Sequence, residues 1–113
     1  MIRRINELTK RTLASTGAEV CRGPYRGTKS EWIRYELTGT EAAVYHDGTT
    51  SGRIFHYSAW VSSRGTPDEL ALRAADALKE AGFYAISMED AGYEEISGFN
   101  RIAIEFRYLE MAE

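Results

Sequence analysis

The sequence predicts an α+β domain, an antiparallel sheet of about four or five strands with two helices packed on one face. Two segments carry apolar residues at helical spacing, and several others alternate apolar and polar residues as strands do. Strand-like segments flank the second helical segment on both sides, which favours a helix lying on a sheet. Because 113 residues provide enough chain for one hydrophobic core, we expect a single domain over residues 1–113.

The strongest helical signal covers residues 66–81. Thr66 is placed to cap the helix, Pro67 suits the first helical position, and Glu69 can complete a capping box. Gly82 can take the left-handed conformation that ends a helix. The apolar side is thin and rich in alanine, which suits close packing against a flat surface. It consists of Leu70, Ala71, Ala74, Ala75 and Leu78.

A first helix is predicted over roughly residues 2–16, where apolar side chains recur every three to five positions before Gly17. A short strand over residues 18–21 comes next. Residues 22–30 contain two glycines and a proline, and we predict a loop there.

Three segments alternate between two faces, residues 32–37, 53–61 and 99–109. Their apolar sides are predicted to face the core and comprise Ile33, Tyr35, Leu37, Phe55, Tyr57, Ala59, Val61, Ile102, Ile104, Phe106 and Tyr108. The opposite side carries Trp32 and Trp60. Because tryptophan combines a large apolar area with a polar tip, we interpret these two residues as contacts for a partner.

Two further predictions concern the connections. A strand over residues 83–88 is followed by a turn at Glu89-Asp90-Ala91-Gly92. Residues 38–52 are predicted as a long loop. It contains a short segment, Ala42-Ala43-Val44-Tyr45, that could add a further strand, and a tight turn at Asp47-Gly48.

The net charge of −3 is unevenly spread. Residues 1–34 carry eight Lys or Arg and three acidic residues, a net of +5, and the rest of the chain has a net of −8. Three interpretations are open. The basic part could be an arm for nucleic acid, an ordinary solvated helix and loop, or one half of a self-complementary surface that orients the association of two copies.

Composition predicts no membrane insertion, because no apolar run approaches the roughly 20 residues that a membrane helix needs. The basic residues near Met1 are not followed by the apolar core of a signal peptide. The single cysteine, Cys21, fits a reducing compartment. We therefore expect the protein to be made and kept in the cytoplasm.

No catalytic chemistry, cofactor or metal is predicted. His46 and His56 have no second histidine or cysteine at the spacing of a zinc site. Cys21 could meet a histidine only after folding, and we interpret it as a small apolar residue on a strand. The acidic pairs Glu89-Asp90 and Glu94-Glu95 are interpreted as solvated loop charge. No glycine-rich segment joins a strand to a helix as phosphate-binding loops do.

A basic and aromatic cluster leaves a binding function open. It comprises Arg22, Tyr25, Arg26, Lys29 and Trp32. Such residues could stack on a single strand of nucleic acid and neutralise its phosphates. The acidic balance of the rest of the chain argues against tight binding of this kind.

The candidate subunit-interface residues lie on the strand sides that face away from the predicted core. They are Trp32, Arg34, Glu36, Ile54, Trp60, Arg101, Glu105 and Arg107. Exposed ion pairs contribute only about 0–1 kcal/mol each. Most of the association energy would therefore come from Trp32, Ile54 and Trp60, at about 1.5–3 kcal/mol for each buried side chain.

The order of these segments matches a known layout over about residues 2–109. Its pieces are a helix ending at Thr16-Gly17, the loop 22–30, the strands 32–37 and 54–61, a helix from Thr66-Pro67-Asp68-Glu69 to Leu78-Lys79-Glu80-Ala81-Gly82-Phe83, the acidic approach 93–101 and the closing strand 102–108. This layout resembles the tail-terminator, or tail-completion, proteins of long-tailed bacteriophages, including a group called minor capsid proteins. The resemblance is one of pattern, without a signature motif, and the loop 38–52 departs from it.

The resemblance implies a non-enzymatic structural protein. Copies would form a ring, commonly of six, that caps the tail tube and joins it to the head connector. The expected location is the tail or neck of a virion assembled in the host bacterial cytoplasm, with DNA only passing through the ring lumen. Two other hypotheses remain from the residues, a small α+β binding module for nucleic acid or a small ligand, and a small enzyme using His46, His56 or Cys21.

Overall fold

The computed structural model describes residues 2–44 and 50–111. Its elements in chain order are α1 (Ile2–Ala14), β1 (Glu19–Arg22), β2 (Glu31–Val44), β3 (Thr50–Ser63), α2 (Asp68–Glu80), β4 (Tyr84–Glu94) and β5 (Phe99–Met111). The predicted α+β class is confirmed, and so are the existence and approximate position of both helices.

The five strands form one sheet in the order β1-β2-β3-β5-β4. The pairs β2–β3, β3–β5 and β4–β5 are antiparallel, whereas β1 runs parallel to β2. The prediction of a purely antiparallel sheet is therefore wrong at β1. The loop after β1 carries the chain back along the sheet, so that Glu19 pairs with Trp32 and the two strands run in the same direction.

Both helices pack on one face of the sheet, as predicted. Ile5 and Leu13 of α1, and Leu70 and Leu78 of α2, share one buried cluster with the inward side chains of the strands. The strand members of this cluster are Ile33, Tyr35, Phe55, Tyr57, Ala59, Val61, Ile104 and Phe106. Strict alternation along each strand therefore determines which side chains reach the helices and which point the other way.

The start of α2 differs from the prediction. Pro67 occupies the N-cap position and the helix begins at Asp68, with no side-chain hydrogen bond capping it. The capping box predicted from Thr66 and Glu69 is therefore wrong, because Thr66 lies one residue too early and proline has no side-chain acceptor. Glu69 instead pairs with Arg73 one turn later, at 3.3 Å.

The end of α2 follows the prediction. Gly82 has a φ of +97°, in the left-handed region. Its N–H donates to the carbonyl of Lys79, and the N–H of Phe83 donates to the carbonyl of Leu78. The glycine thus closes the helix and turns the chain into β4.

The long loop predicted over residues 38–52 is largely strand. β2 continues to Val44 and β3 begins at Thr50, and the two are paired along this length. A bulge between Leu37 and Gly39 shifts the register by one residue, which breaks the alternation used for the prediction. The predicted turn at Asp47-Gly48, and His46, lie outside the described residues.

The turn predicted at residues 89–92 is also wrong. β4 continues to Glu94, and the reversal occurs over residues 95–98, where the N–H of Gly98 donates to the carbonyl of Glu94. The residues that resemble a turn lie at an irregularity in the strand pairing, between Asp90 and Gly92. There the N–H of Gly92 donates to the Asp90 carboxylate at 2.8 Å.

Candidate assembly surface

We call the side of the sheet away from the helices the open face. Residues on it alternate with the core residues along β2, β3 and β5, and comprise Trp32, Arg34, Glu36, Ile54, His56, Ser58, Trp60, Ser62, Arg101, Ala103, Glu105 and Arg107. All eight candidate interface residues from the sequence lie here. No described helix covers this face, since both helices pack on the other.

Cross-strand pairing organises the open face into rows. Arg34 lies opposite Trp60, which lies opposite Ala103, which lies opposite Glu89 of β4. A second row contains Glu36 and Glu105, separated by Ser58. Ile54 and Arg107 lie further along the sheet, away from the tryptophans.

A cavity of about 550 Å³ lies at the end of the open face where β2 and β5 begin and where β3 and β4 end. We call it the aromatic–arginine cavity. Its floor and walls include Trp32, Arg34, Trp60, Ser62, Arg64 and Arg101. Four of the eight predicted interface residues, Trp32, Arg34, Trp60 and Arg101, thus come together in one recess.

The rings of the cavity pack against groups of the chain itself. Tyr25 stacks on Trp32 with ring centroids 4.5 Å apart, and Trp32 meets Phe99 edge to face at 5.6 Å. The guanidinium of Arg34 lies over Trp60, and that of Arg64 lies over Phe99, at 4.3 Å and 4.6 Å from the centroids. These contacts hold the loop after β1 against the open face and fix the orientation of two arginines.

The charge of the cavity is positive. Lys29, Arg34, Arg64 and Arg101 line it together with one carboxylate, that of Glu94. Arg101 donates to Glu94 at 3.4 Å and to the carbonyl of Ala91 at 3.3 Å. Within residues 2–44 and 50–111, neither Arg34 nor Arg64 forms an ion pair.

Three buried polar atoms of the cavity have no hydrogen-bond partner in the described part of the chain. They are Nε1 of Trp32, Oγ of Ser62 and Nε of Arg101. Ser62 is fully buried, at 0% exposure. A buried polar group without a partner costs about 1–3 kcal/mol. These three atoms are almost fully shielded from solvent, so they lie beneath the surface of the cavity.

Ser62, Arg64 and Phe99 also line the cavity and were not predicted as site residues. The signal that could have found them is the alternation of side chains between the two faces of a strand. Ser62 and Arg64 follow Trp60 at intervals of two, past the predicted strand end at Val61, and Phe99 precedes Arg101 by two positions within the predicted strand 99–109.

Cys21 and His56 are not brought together, and His46 lies outside the described residues. Cys21 aligns with Arg34 and Trp60 across the sheet, whereas His56 lies four residues from Trp60, about 13 Å along the strand. His56 Nε2 instead lies 2.6 Å from the Glu41 carboxylate. Burial raises the pKa of the Cys21 thiol, which disfavours the reactive thiolate. The described residues contain no cluster of three or more His, Cys, Asp or Glu that could hold a metal ion.

The cluster proposed for nucleic acid has limited stacking capacity. Tyr25 and Trp32 stack on each other, so each ring presents one face fewer to a base. The hydroxyl of Tyr25 also accepts a hydrogen bond from the N–H of Lys29, at 2.9 Å. These contacts hold the loop in place, and they favour recognition by edges and N–H groups over recognition by free ring faces.

No protein-family model matches the sequence, and no curated protein matches it. Among solved structures, the chain is similar to a chain in the virion of the native gene transfer agent (GTA) particle, with a TM-score of 0.51. The alignment covers 88% of this chain and 84% of that chain at 19% sequence identity. At this level of identity the likeness is one of fold.

None of the helices in the described residues combines the length and the hydropathy that a membrane crossing requires.

Proposed function

We propose that this chain is a structural protein of a phage-like virion and that it acts as a tail terminator. In this role, copies form a ring that caps the finished tail tube and joins it to the head connector. The chain makes contacts and carries out no catalysis. The observation that carries the proposal is the fold similarity over 88% of the chain to a component of a virion particle.

The open face supports an assembly role independently of that similarity. It leaves two tryptophans, Trp32 and Trp60, only partly buried on a sheet surface that no described helix covers. The same face carries charges of both signs, such as Arg107 and Glu105. A surface with aromatic anchors and mixed charge is typical of protein interfaces.

The uneven charge of the chain suits a ring. Head-to-tail contact in a ring joins two different surfaces of one subunit. A basic first third with a net charge of +5 and an acidic remainder with −8 supply such a pair of surfaces. Charge pairing of this kind would orient the copies, and the buried tryptophans would hold them together.

The test is the assembly state of the purified chain, alone and with tail tubes. Sedimentation velocity and negative-stain electron microscopy are expected to show a ring of about six copies, as the resemblance suggests, or a ring formed at tube ends when tubes are added. A chain that stays monomeric and does not bind tube ends would contradict the proposal.

The alternative of a small-ligand or nucleic-acid binding module draws on one specific feature, the positive charge of the aromatic–arginine cavity. Tight binding of an oligonucleotide by a chain that never self-associates would favour that alternative. The same preparation serves both tests.

A further inference from the structure

We propose that the aromatic–arginine cavity binds a side-chain carboxylate from the acidic edge strand of a second copy of this chain. The proposal rests on the self-assembly stated under Proposed function and names the contact that would hold adjacent copies together.

The positive charge of the cavity favours an anionic ligand. Among the described residues that line it, Glu94 is the one that carries a carboxylate, and it is already paired with Arg101. The guanidinium groups of Arg34 and Arg64 each lie over an aromatic ring, that of Trp60 and that of Phe99. An incoming carboxylate would therefore find two guanidinium groups that have no ion pair among the described residues, and both are oriented by rings.

The chemistry of the guanidinium groups favours a carboxylate. A carboxylate offers two oxygens with about four acceptor positions in one plane. It can pair with an arginine through two parallel hydrogen bonds. An apolar or cationic ligand could form no such pair with Arg34 or Arg64.

The ring contacts favour a carboxylate over a nucleotide. One face of Trp32 is taken by Tyr25, one face of Trp60 by Arg34 and one face of Phe99 by Arg64. Recognition of a base depends on open ring faces. A small planar anion needs only the guanidinium edges of Arg34 and Arg64.

The second copy is the occupant that charge complementarity favours. β4 is the outermost strand on its side of the described sheet, and its exposed residues include Glu89 and Asp90. Glu89 forms no ion pair in the described part of the chain. It also lies on the same open-face row as Arg34 and Trp60.

Arg34 and Glu89 lie on different strands of one subunit, so one copy can offer its carboxylate to one neighbour and its cavity to another. Repeated head to tail, this contact closes a ring, as the proposed function requires. Mutual exchange between two copies would instead give a two-fold dimer, and sedimentation velocity distinguishes the two assemblies.

The test uses the fluorescence of the chain's two tryptophans, Trp32 and Trp60, because both line the cavity. The full chain, at a concentration where it is monomeric, is titrated with a peptide of residues 86–92. The matched control peptide carries Glu89→Gln and Asp90→Asn. We expect saturable binding of the first peptide and at least about tenfold weaker binding of the control. Equal binding of the two peptides would overturn the proposal.

Variants of the cavity give a second reading. Arg34→Gln and Arg64→Gln are each expected to weaken binding of the acidic peptide, whereas Arg73→Gln removes the same charge from α2 and is expected to change nothing. If Arg34→Gln does not fold, the pair of peptides decides on the unaltered chain. A short single-stranded oligonucleotide that binds the cavity more tightly than the peptide would also overturn the proposal, in favour of nucleic acid.

Two results distinguish failure of the carboxylate contact from failure of the ring. A full chain carrying Glu89→Gln and Asp90→Asn that still assembles as the wild type does would overturn the carboxylate contact and leave the ring intact. Specific peptide binding by a chain that never assembles and never binds tail tubes would support the carboxylate site and contradict the tail-terminator function.

Discussion

The guanidinium carbon of Arg34 lies 4.3 Å from the centroid of the Trp60 ring, and the two residues are directly paired on neighbouring strands. Both point away from the core, on the face of the sheet that no described helix covers. The arginine is held over the ring by a cation–π contact. This arrangement makes Trp60 an anchor that can be removed without opening the core.

Trp60→Ala is therefore expected to weaken self-association while the fold persists. Burial of a large side chain at an interface contributes about 1.5–3 kcal/mol, which corresponds to roughly a tenfold to hundredfold change in affinity for each contact. Sedimentation velocity measures the association, and thermal unfolding measures the fold. Leu72→Ala, on the exposed side of α2, is the control and should leave the assembly unchanged. An unchanged assembly with a collapsed melting temperature would show that Trp60 serves the core instead.

The buried hydrogen bond between β3 and α1 gives a second prediction. The hydroxyl of Tyr57 donates to Oδ1 of Asn6 at 2.6 Å, and both residues are buried. Tyr57→Phe leaves the amide oxygen without its partner and is expected to destabilise the chain by about 1–3 kcal/mol in urea unfolding. A double-mutant cycle with Asn6→Ala should show coupling above about 0.5 kcal/mol. Strictly additive effects would mean that the bond does not contribute.

Alkaline pH is expected to destabilise the fold. Burial raises the pKa of Tyr57 and of Tyr35 above the ordinary value of 10.0, and that of Cys21 above 9.0. Since a raised pKa means that the folded chain favours the protonated form, this stabilisation is complete below about pH 9 and is lost as the pH rises beyond the unfolded values. Unfolding measured between about pH 8 and 11 should show the decline, and Tyr57→Phe should make it shallower. A slope unaffected by that substitution would contradict the assignment.

Gly52 tests the close packing of β3 against β5. A Cβ atom at this position would lie 2.5 Å from the carbonyl oxygen of Glu110 and 3.2 Å from Cα of Met111, both backbone atoms. Gly52→Ala is therefore expected to cost about 1–3 kcal/mol of stability through overpacking. Gly39→Ala is the matched control, because a Cβ there meets no atom within 4 Å. Equal effects of the two substitutions would show that β3 and β5 can separate freely at this point.

Cys21→Ser tests the absence of a chemical role. Sγ of Cys21 lies 3.6 Å from the carbonyl of Gly23, a contact that a serine hydroxyl can replace. Assembly mass and ring appearance are expected to match those of the wild type. Loss of assembly without a change in melting temperature would revive a role for the thiol.

Much of the fold could be predicted from periodicity. The inward residues of β2, β3 and β5 were predicted because strict alternation separates apolar from polar positions along each strand. Where the alternation is interrupted, the prediction failed. Because of the bulge between Leu37 and Gly39, the second half of β2 was not recognised as a strand. The irregularity between Asp90 and Gly92 made part of β4 resemble a turn.

The parallel pairing of β1 could not be predicted, because a four-residue strand carries no signal of direction. The cap of α2 was missed for a different reason. A capping box and a proline N-cap differ by one position, and sequence patterns locate helix ends only to within a few residues.

The candidate site was predicted in part. Alternation placed Trp32, Arg34, Trp60 and Arg101 on one face, since successive side chains of a strand point to opposite sides of the sheet. It could not show that they meet Tyr25 and Arg64 around one recess, because that depends on the path of the loop after β1. That these residues form a subunit interface remains a prediction, and so does the absence of enzymatic activity.

We propose that this chain is a structural subunit of a virion, located where the tail meets the head. Immunogold electron microscopy of particles from cells that carry its gene tests this position. We expect label at the head-proximal end of the tail. Particles without label, or label confined to another part of the particle, would contradict it.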